Sequence, residues 1–280
     1  MEYLIQDTTL DTLADAIRSK TGGTDNLTPA QMVAAINGLQ IGGGATEPYI
    51  EETYDSNGNL TGSVIHGHTK VRKYAFYNCS ELAFASLPNE LTSIDQSAFY
   101  GCSKLALTSL PSGLTSIGEY AFCGCPNLTL TSLPNGVTNI GKRAFYNISN
   151  LALTTLPNGV TSIGEYAFYG CSKLTLTSLP DGLTTIEDYT FMNCRGLALT
   201  SLPSGLTKIG NYAFNSCSGL VITSLPSAVA IINSLAFGFC TGLTTLTFEG
   251  TPSSISQNAF RNCTNLTTIN VPWAEGVVAN

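Results

Sequence analysis

Phenylalanine returns at a constant 23-residue step in this chain, at Phe76, Phe99, Phe122, Phe145, Phe168, Phe191, Phe214, Phe237 and Phe260. A cysteine column keeps the same step, with Cys79, Cys102, Cys125, Cys171, Cys194, Cys217, Cys240 and Cys263, and Ile148 fills its one gap. Leu-Pro pairs run in register from Leu87-Pro88 to Leu225-Pro226, and an isoleucine column runs from Ile94 to Ile255. No insertion or deletion breaks the register across nine units. A fixed period of this size marks a stacked array. One unit is too small to bury its own apolar face and must bury it against its neighbours.

One unit, Cys102 to Gly124, reads CSKLALTSLPSGLTSIGEYAFCG. Leu105, Leu107 and Leu110 lie in a short run with Thr108 and Ser109 that suits a strand. Pro111, Ser112 and Gly113 then make a turn, Pro fixing φ and Gly admitting positive φ. Leu114 to Ile117 forms a second extended piece, and Gly118 turns the chain again. The last stretch, EYAFCG, suits a helical turn with Ala121 and Phe122 pointing inward. The expected class is an α/β solenoid with a parallel sheet on one face. At about 4.8 Å per strand, its coils span about 40 Å.

The unit pattern C-x-x-L, LP-x-G, T-x-I-G and AF-x-x-C, from roughly Val71 to Pro272, resembles the BspA-type leucine-rich repeat family. The resemblance implies a curved right-handed superhelix, a role in surface adhesion or recognition, and no catalytic residues. The last two units, CTGLTTLTFEG and CTNLTTINVPW, place apolar residues at the third, sixth and eighth positions after Cys, which is the family's usual spacing. Earlier units place them at the third, fifth and eighth, as in Leu105, Leu107 and Leu110, with Thr108, Thr131, Thr154, Thr177, Thr200 and Thr223 at the sixth. A one-residue change flips the face of a strand. The expectation is a bulge or altered strand path in the earlier units, relaxing near Leu246 and Ile269.

Residues 1–41 do not repeat. Leu10, Leu13, Ala14 and Ile17 fit one helical face, and Thr8 with Asp11 suits a capping box. Thr28, Pro29 and Gln31 open a second helix whose face is Met32, Ile36 and Leu39. Two short helices make a marginal domain that packs on the solenoid, self-associates or docks on a scaffold. The stretch from Leu10 and LADAIR to LTPAQMVAAI is similar to an N-terminal module of phage and prophage tail-fibre-like proteins of gut bacteria. That likeness implies an attachment or oligomerisation module at residues 1–41. Residues 42–48, opening with Gly42-Gly43-Gly44, form a linker. Residues 49–70 read as a hairpin with SNGN at its turn, covering the open end of the stack. The solenoid then occupies residues 71–272, and residues 273–280 form a tail.

Only 11% of residues are charged and the formal net charge is −7, with no basic patch, which argues against nucleic acid as a partner. No apolar run approaches the roughly 20 residues of a membrane helix, so no membrane insertion is expected. The N-terminus lacks the basic and apolar regions of a signal peptide, which fits a virion protein assembled in the host cytoplasm. An exported surface protein whose signal lies outside this chain is the competing expectation.

The eight column cysteines sit beside core Phe residues and read as buried thiols, since Ile148 serves equally well in their place. Parallel Cβ vectors in such a column do not suit the disulfide dihedral near 90°. Cys123 stands in a variable column with Tyr77, Tyr100, Tyr146, Tyr169, Met192, Asn215, Gly238 and Arg261, and is expected to be exposed or partly exposed and readily alkylated. His66 and His68 have no third ligand at metal-binding spacing, and two histidines supply no credible nucleophile system. No cofactor, metal site or enzyme activity is expected. The candidate binding surface is aromatic. Tyr74, Tyr120, Tyr166, Tyr189 and Tyr212 form one column, and Tyr77, Tyr100, Tyr146 and Tyr169 form another, three residues on. Packing between neighbouring coils is the alternative role for these rings. The second candidate face is the small uncharged column Ala106, Thr129, Ala152, Thr175, Ala198, Val221 and Thr244, with Lys104 and Lys173 along its edge. The expected partner is a cell-surface protein or glycan, and the expected location is a virion tail or the extracellular cell surface. Oligomerisation or scaffold docking is assigned to residues 1–41.

Overall fold

A computed structural model of the chain describes residues 49–54, 60–66, 69–84 and 86–273. The expected helices of residues 1–41 and the tail from residue 274 onward lie outside the described residues, as does the SNGN turn.

The isoleucine column builds the main ladder. Short strands at Lys70–Val71 (β3), Ser93–Ile94 (β4), Ser116–Ile117 (β5), Asn139–Ile140 (β6) and Ser162–Ile163 (β7) pair in parallel, each residue opposite its copy in the next coil. The column continues through Thr185–Ile186 (β8), Lys208–Ile209 (β9), Ile231–Ile232 (β11) and Ser254–Ile255 (β13). From β3 to β11 the second residue of each pair turns inward and is buried, as the alternation of a strand requires. Ahead of the stack, Tyr49–Tyr54 (β1) and Leu60–His66 (β2) pair antiparallel, as expected of a hairpin.

Glycine is needed where the chain leaves this ladder. A Cβ at Gly141 would lie 2.5 Å from the Gly118 carbonyl carbon and 2.5 Å from the Glu119 nitrogen. Backbone cannot yield as a flexible side chain does, so at Gly141 the coils meet as closely as they do only around a hydrogen.

The core is a column of rings. The nine phenylalanines stack coil on coil, with centroids 5.1–5.6 Å apart and planes within 13° of parallel. Offset stacks of this kind contribute about 0.5–1.5 kcal/mol per pair beyond area burial. The thiol column lies beside them. The Sγ of Cys125 donates to the Phe99 carbonyl at 3.0 Å, and the same bond recurs at Cys102, Cys171, Cys194, Cys217, Cys240 and Cys263. Cys102, Cys123, Cys125, Cys171, Cys194, Cys217, Cys240 and Cys263 are free thiols.

Two expectations are corrected. No helix occurs among the described residues, so the solenoid is built from strands and turns rather than α and β elements. The reason lies in the backbone of EYAFCG. Tyr120 and Gly124 adopt positive φ, 54° and 78°, which no right-handed helix tolerates. Alternate amides then point in two directions. Ala121 and Cys123 bond three residues back, to Gly118 and Tyr120, while Tyr120 and Phe122 donate to Lys142 and Ala144 of the next coil. The turn is thus stitched sideways, and coil after coil repeats it.

The second correction concerns the leucine run. It forms no regular strand in the earlier coils. There one amide per coil reaches back one residue short of a full period, as in Thr129 to Leu107, Ala152 to Leu130 and Thr175 to Leu153, while Thr154 and Thr200 reach back a full period, to Thr131 and Thr177. Regular parallel pairing appears only at Ser224–Leu225 (β10), Thr245–Phe248 (β12) and Thr268–Asn270 (β14), where Thr247 reaches back one residue beyond a full period, to Thr223. The altered path and its relaxation at Leu246 and Ile269 follow the spacing of the apolar residues, because the side chain that must face inward sets the register.

The main ladder has one break, between β7 and β8. Among the described residues, Glu187 lacks the amide bond to the preceding coil that Gly118, Gly141, Gly164 and Gly210 all make. This coil carries Thr190 where every other coil has alanine next to the core Phe. Thr190 is fully buried, and its hydroxyl bonds the carbonyls of Glu187 at 2.9 Å and Gly164 at 3.4 Å. The break thus coincides with two departures in one coil, Thr190 in the alanine column and Glu187 in the column of Gly118, Gly141, Gly164 and Gly210.

Candidate functional site

The sideways turns carry an aromatic stripe along one flank of the solenoid. Its first column holds Tyr74, Ser97, Tyr120, Arg143, Tyr166, Tyr189, Tyr212 and Leu235, each two residues before a core Phe. All eight adopt positive φ between 53° and 61°. For a residue with a Cβ this conformation costs about 1–2 kcal/mol. It is held because the amide must reach the next coil.

The rings stack along the axis. Tyr166 lies 4.4 Å from Tyr189, and Tyr189 lies 4.9 Å from Tyr212, both nearly parallel. In the second column Tyr77 stacks on Tyr100 and Tyr146 on Tyr169, each at 4.8 Å. The columns also touch, Tyr100 against Tyr120 and Tyr146 against Tyr166, both at 6.3 Å. Tyr74 and Tyr77 are exposed, while the tyrosines of the later coils are half-buried. The phenols feel this crowding. Cys123 beside it, then burial, raises the Tyr100 phenol above its ordinary value, and burial with the neighbouring rings raises Tyr146 and Tyr189.

Arg143 replaces one rung. Its guanidinium carbon lies 4.6 Å from the Tyr166 ring centre, 5.4 Å from Tyr120 and 5.7 Å from Tyr146, and Nη1 donates to the Tyr120 hydroxyl at 2.8 Å. Cation–π contacts on three sides fix the group in place. Nε is buried with no hydrogen-bond partner. The neighbouring acid, Glu165, is engaged by Lys142, and no described carboxylate pairs with Arg143.

Cys123 corrects the sequence reading. Its side chain is buried, at 9% exposure, within a group of Tyr100, Tyr146 and Arg143. Burial pushes its thiol up, and Arg143 only partly offsets this. The column varies in sequence because it faces other side chains of the stripe, and that is compatible with being covered.

The other candidate face is quieter. Ala106, Thr129, Thr175, Val221 and Thr244 are exposed, and Ala152 and Ala198 are half-buried. Lys104 pairs with Glu81 in its own column, apart from the tyrosines, and Lys173 is exposed in that same column. On the adjoining turn, the hydroxyls of Thr92, Thr115, Thr138, Thr161 and Thr207 each bond the carbonyl of the coil before, at 3.0–3.5 Å. Those groups are spent on the fold.

Sequence reasoning grouped the tyrosines but missed Arg143 as a member of their column; the 23-residue register alone would have placed it there. It also missed Phe239, which is 45% exposed at φ 58° where other coils have Asn, Gly or Ser. Among the described residues no cluster of His, Cys, Asp or Glu could hold a metal, and no helix is long and apolar enough to cross a membrane. The side chains of β2, with His66, and the whole of His68 lie outside the described residues.

Strands, turns and ring ladders that repeat with the 23-residue period define a solenoid repeat protein with a long aromatic flank. The chain belongs to the family of the BspA type leucine rich repeat region, whose repeats match residues 69–198 and 161–275. A search of curated proteins finds no match. Among solved structures it is similar to a leucine rich repeat protein of T. pallidum, at 30% identity over 61% of this chain and 88% of that one, with a TM-score of 0.48. It is also similar to a leucine rich cell surface protein of Faecalibacterium prausnitzii, at 28% identity over 74% and 70% of the two chains, with a TM-score of 0.41.

Proposed function

We propose that this chain is a non-catalytic recognition protein that binds a cell-surface protein or glycan through its solenoid, as part of a phage or prophage tail. The observation that carries the recognition role is the tyrosine flank, an aromatic surface that runs coil after coil on a rigid scaffold. Solenoids bind through extended surfaces of this kind. The tail assignment rests on the N-terminal sequence. In this reading residues 1–41 oligomerise the protein or dock it on a scaffold, residues 42–48 link, and residues 49–70 cap the stack.

Family membership favours a second reading, an exported bacterial surface adhesin. Solution mass separates the two. The tail reading expects an oligomer that becomes monomeric when residues 1–41 are deleted, and a monomer in both forms counts against it. Recognition itself is tested by attachment of the purified chain to intact bacterial and host cells. No saturable attachment to any of them would remove the proposal.

A further inference from the structure

We propose that the Arg143 rung is a binding site for the carboxylate of an acidic polysaccharide lying along the tyrosine ladder. The inference rests on the reading that the solenoid is the recognition surface, and it names the site and the ligand chemistry.

The stacking decides what the ladder offers. Rings at 4.4–4.9 Å, nearly parallel, spend their faces on each other. What remains outward is a row of ring edges and phenol hydroxyls, at least one tyrosine in each of the first seven coils, with the Tyr120 hydroxyl accepting from Arg143. Such a surface has no apolar centre of the kind a protein interface is built around. It matches a chain of hydroxyl-rich units that repeats at a similar step and exchanges hydrogen bonds with each phenol. A polysaccharide running along the axis meets that requirement.

Arg143 adds one charge to this row. Its guanidinium is held among Tyr120, Tyr146 and Tyr166, and among the described residues it makes one hydrogen bond, to the Tyr120 hydroxyl. Lys142 neutralises Glu165 beside it. A fixed planar guanidinium with spare donors and no carboxylate of its own takes a carboxylate from outside, in a bidentate fork. Cys123 makes the arrangement fit. A tyrosine there, as in the coils on either side, would occupy the space beside the guanidinium.

The column supplies the variant. Arg143→Tyr puts in the residue that Tyr120, Tyr166, Tyr189 and Tyr212 already show the position accepts, at a similar backbone angle. The full chain is titrated by calorimetry with polygalacturonate, a uronic-acid polymer, and with dextran, a neutral one. The expected result is binding of polygalacturonate that weakens with salt, no binding of dextran, and at least about a tenfold loss in Arg143→Tyr. A melting curve confirms that the variant folds. Arg143→Lys, which keeps the charge but not the fork, falls between. Equal binding by Arg143→Tyr, equal binding of dextran, or no binding of polygalacturonate overturns the site. So does cell attachment that disappears when the cells are treated with protease. Cells that still bind Arg143→Tyr normally would sink this site and leave the recognition reading standing, whereas failure of the unmodified chain to bind any cell sinks that reading.

Discussion

At the scale of single residues, the repeat imposes a backbone conformation and the side chain must accept it. The position before each column cysteine is left-handed in every coil, and eight of the nine coils answer with Asn, Gly or Ser. Phe239 does not. Its φ is 58° and its ring is 45% exposed, so little packing offsets the strain. Phe239→Asn therefore stabilises the protein by about 1 kcal/mol, read as a rise in denaturation midpoint. An unchanged midpoint would show that the ring makes contacts worth as much as the strain. The thiols follow a similar logic of placement. Burial pushes Cys125 and Cys171 up to about 12 and Cys102, Cys194 and Cys240 well above the ordinary value, so few thiolates form at neutral pH. Native alkylation at pH 8 is expected to reach Cys79 and Cys263 first, at the two half-exposed ends of the column, and to spare both Cys123 and Cys125 until the chain unfolds. Rapid labelling of Cys123 would mean that the group around it does not cover it. Which residues share a column was legible from the 23-residue step. Whether Cys123 was covered was not, because its neighbours Tyr100, Arg143 and Tyr146 belong to other coils.

At the scale of elements, the sequence pattern located segments better than it named them. The stretch EYAFCG suits a helical turn with Ala121 and Phe122 pointing inward, but sideways hydrogen bonding to the next coil wins over local propensity. Nothing local to EYAFCG signals this, since the bonding partner lies a full period away. The leucine run behaved differently. Its one-residue shift was visible in sequence, and the backbone answers with bonds that fall one residue short of a full period instead of one beyond it. Thr190 is the third case, a single departure from an alanine column that coincides with the break between β7 and β8. Both carbonyls that its hydroxyl bonds also accept an amide, Gly164 from Ala167 and Glu187 from Thr190 itself. Removing the hydroxyl leaves neither orphaned. Thr190→Ala is thus expected to relieve overpacking, stabilise by about 1 kcal/mol, and give the Glu187 amide slow hydrogen exchange as the ladder closes. Fast exchange at Glu187 in the variant would place the cause of the break elsewhere.

At the scale of the whole molecule, identical contacts repeated coil after coil make small terms add, and the thiol column shows this with a definite sign. Cys102, Cys125, Cys171, Cys194, Cys217 and Cys240 are buried, and each thiol is raised by burial in the folded chain. An unfolded chain ionises the same thiols near pH 8.5, at roughly the ordinary value. Below that pH both states hold their protons and the stability is complete. Above it the unfolded state releases protons that the folded state keeps, so stability falls as pH rises towards the folded values near 12. Each thiol contributes a slope of about 1.4 kcal/mol per pH unit, and the six together about 8 kcal/mol per unit, comparable with the whole stability of a domain. Melting temperature is therefore expected to hold level to about pH 8.5 and to collapse over the next two units or so. The raised phenols of Tyr100, Tyr146 and Tyr189 act in the same direction, so the thiol share is isolated by difference. Ile148 shows that a coil closes without its thiol, and the Phe carbonyl that loses a thiol donor still accepts an amide bond. Replacing Cys194 and Cys217 by alanine should remove about a third of the six-thiol share of the alkaline slope while leaving a folded protein at neutral pH. An unchanged slope in that variant, or a melting temperature level to pH 11, would mean that the column does not stay protonated in the fold.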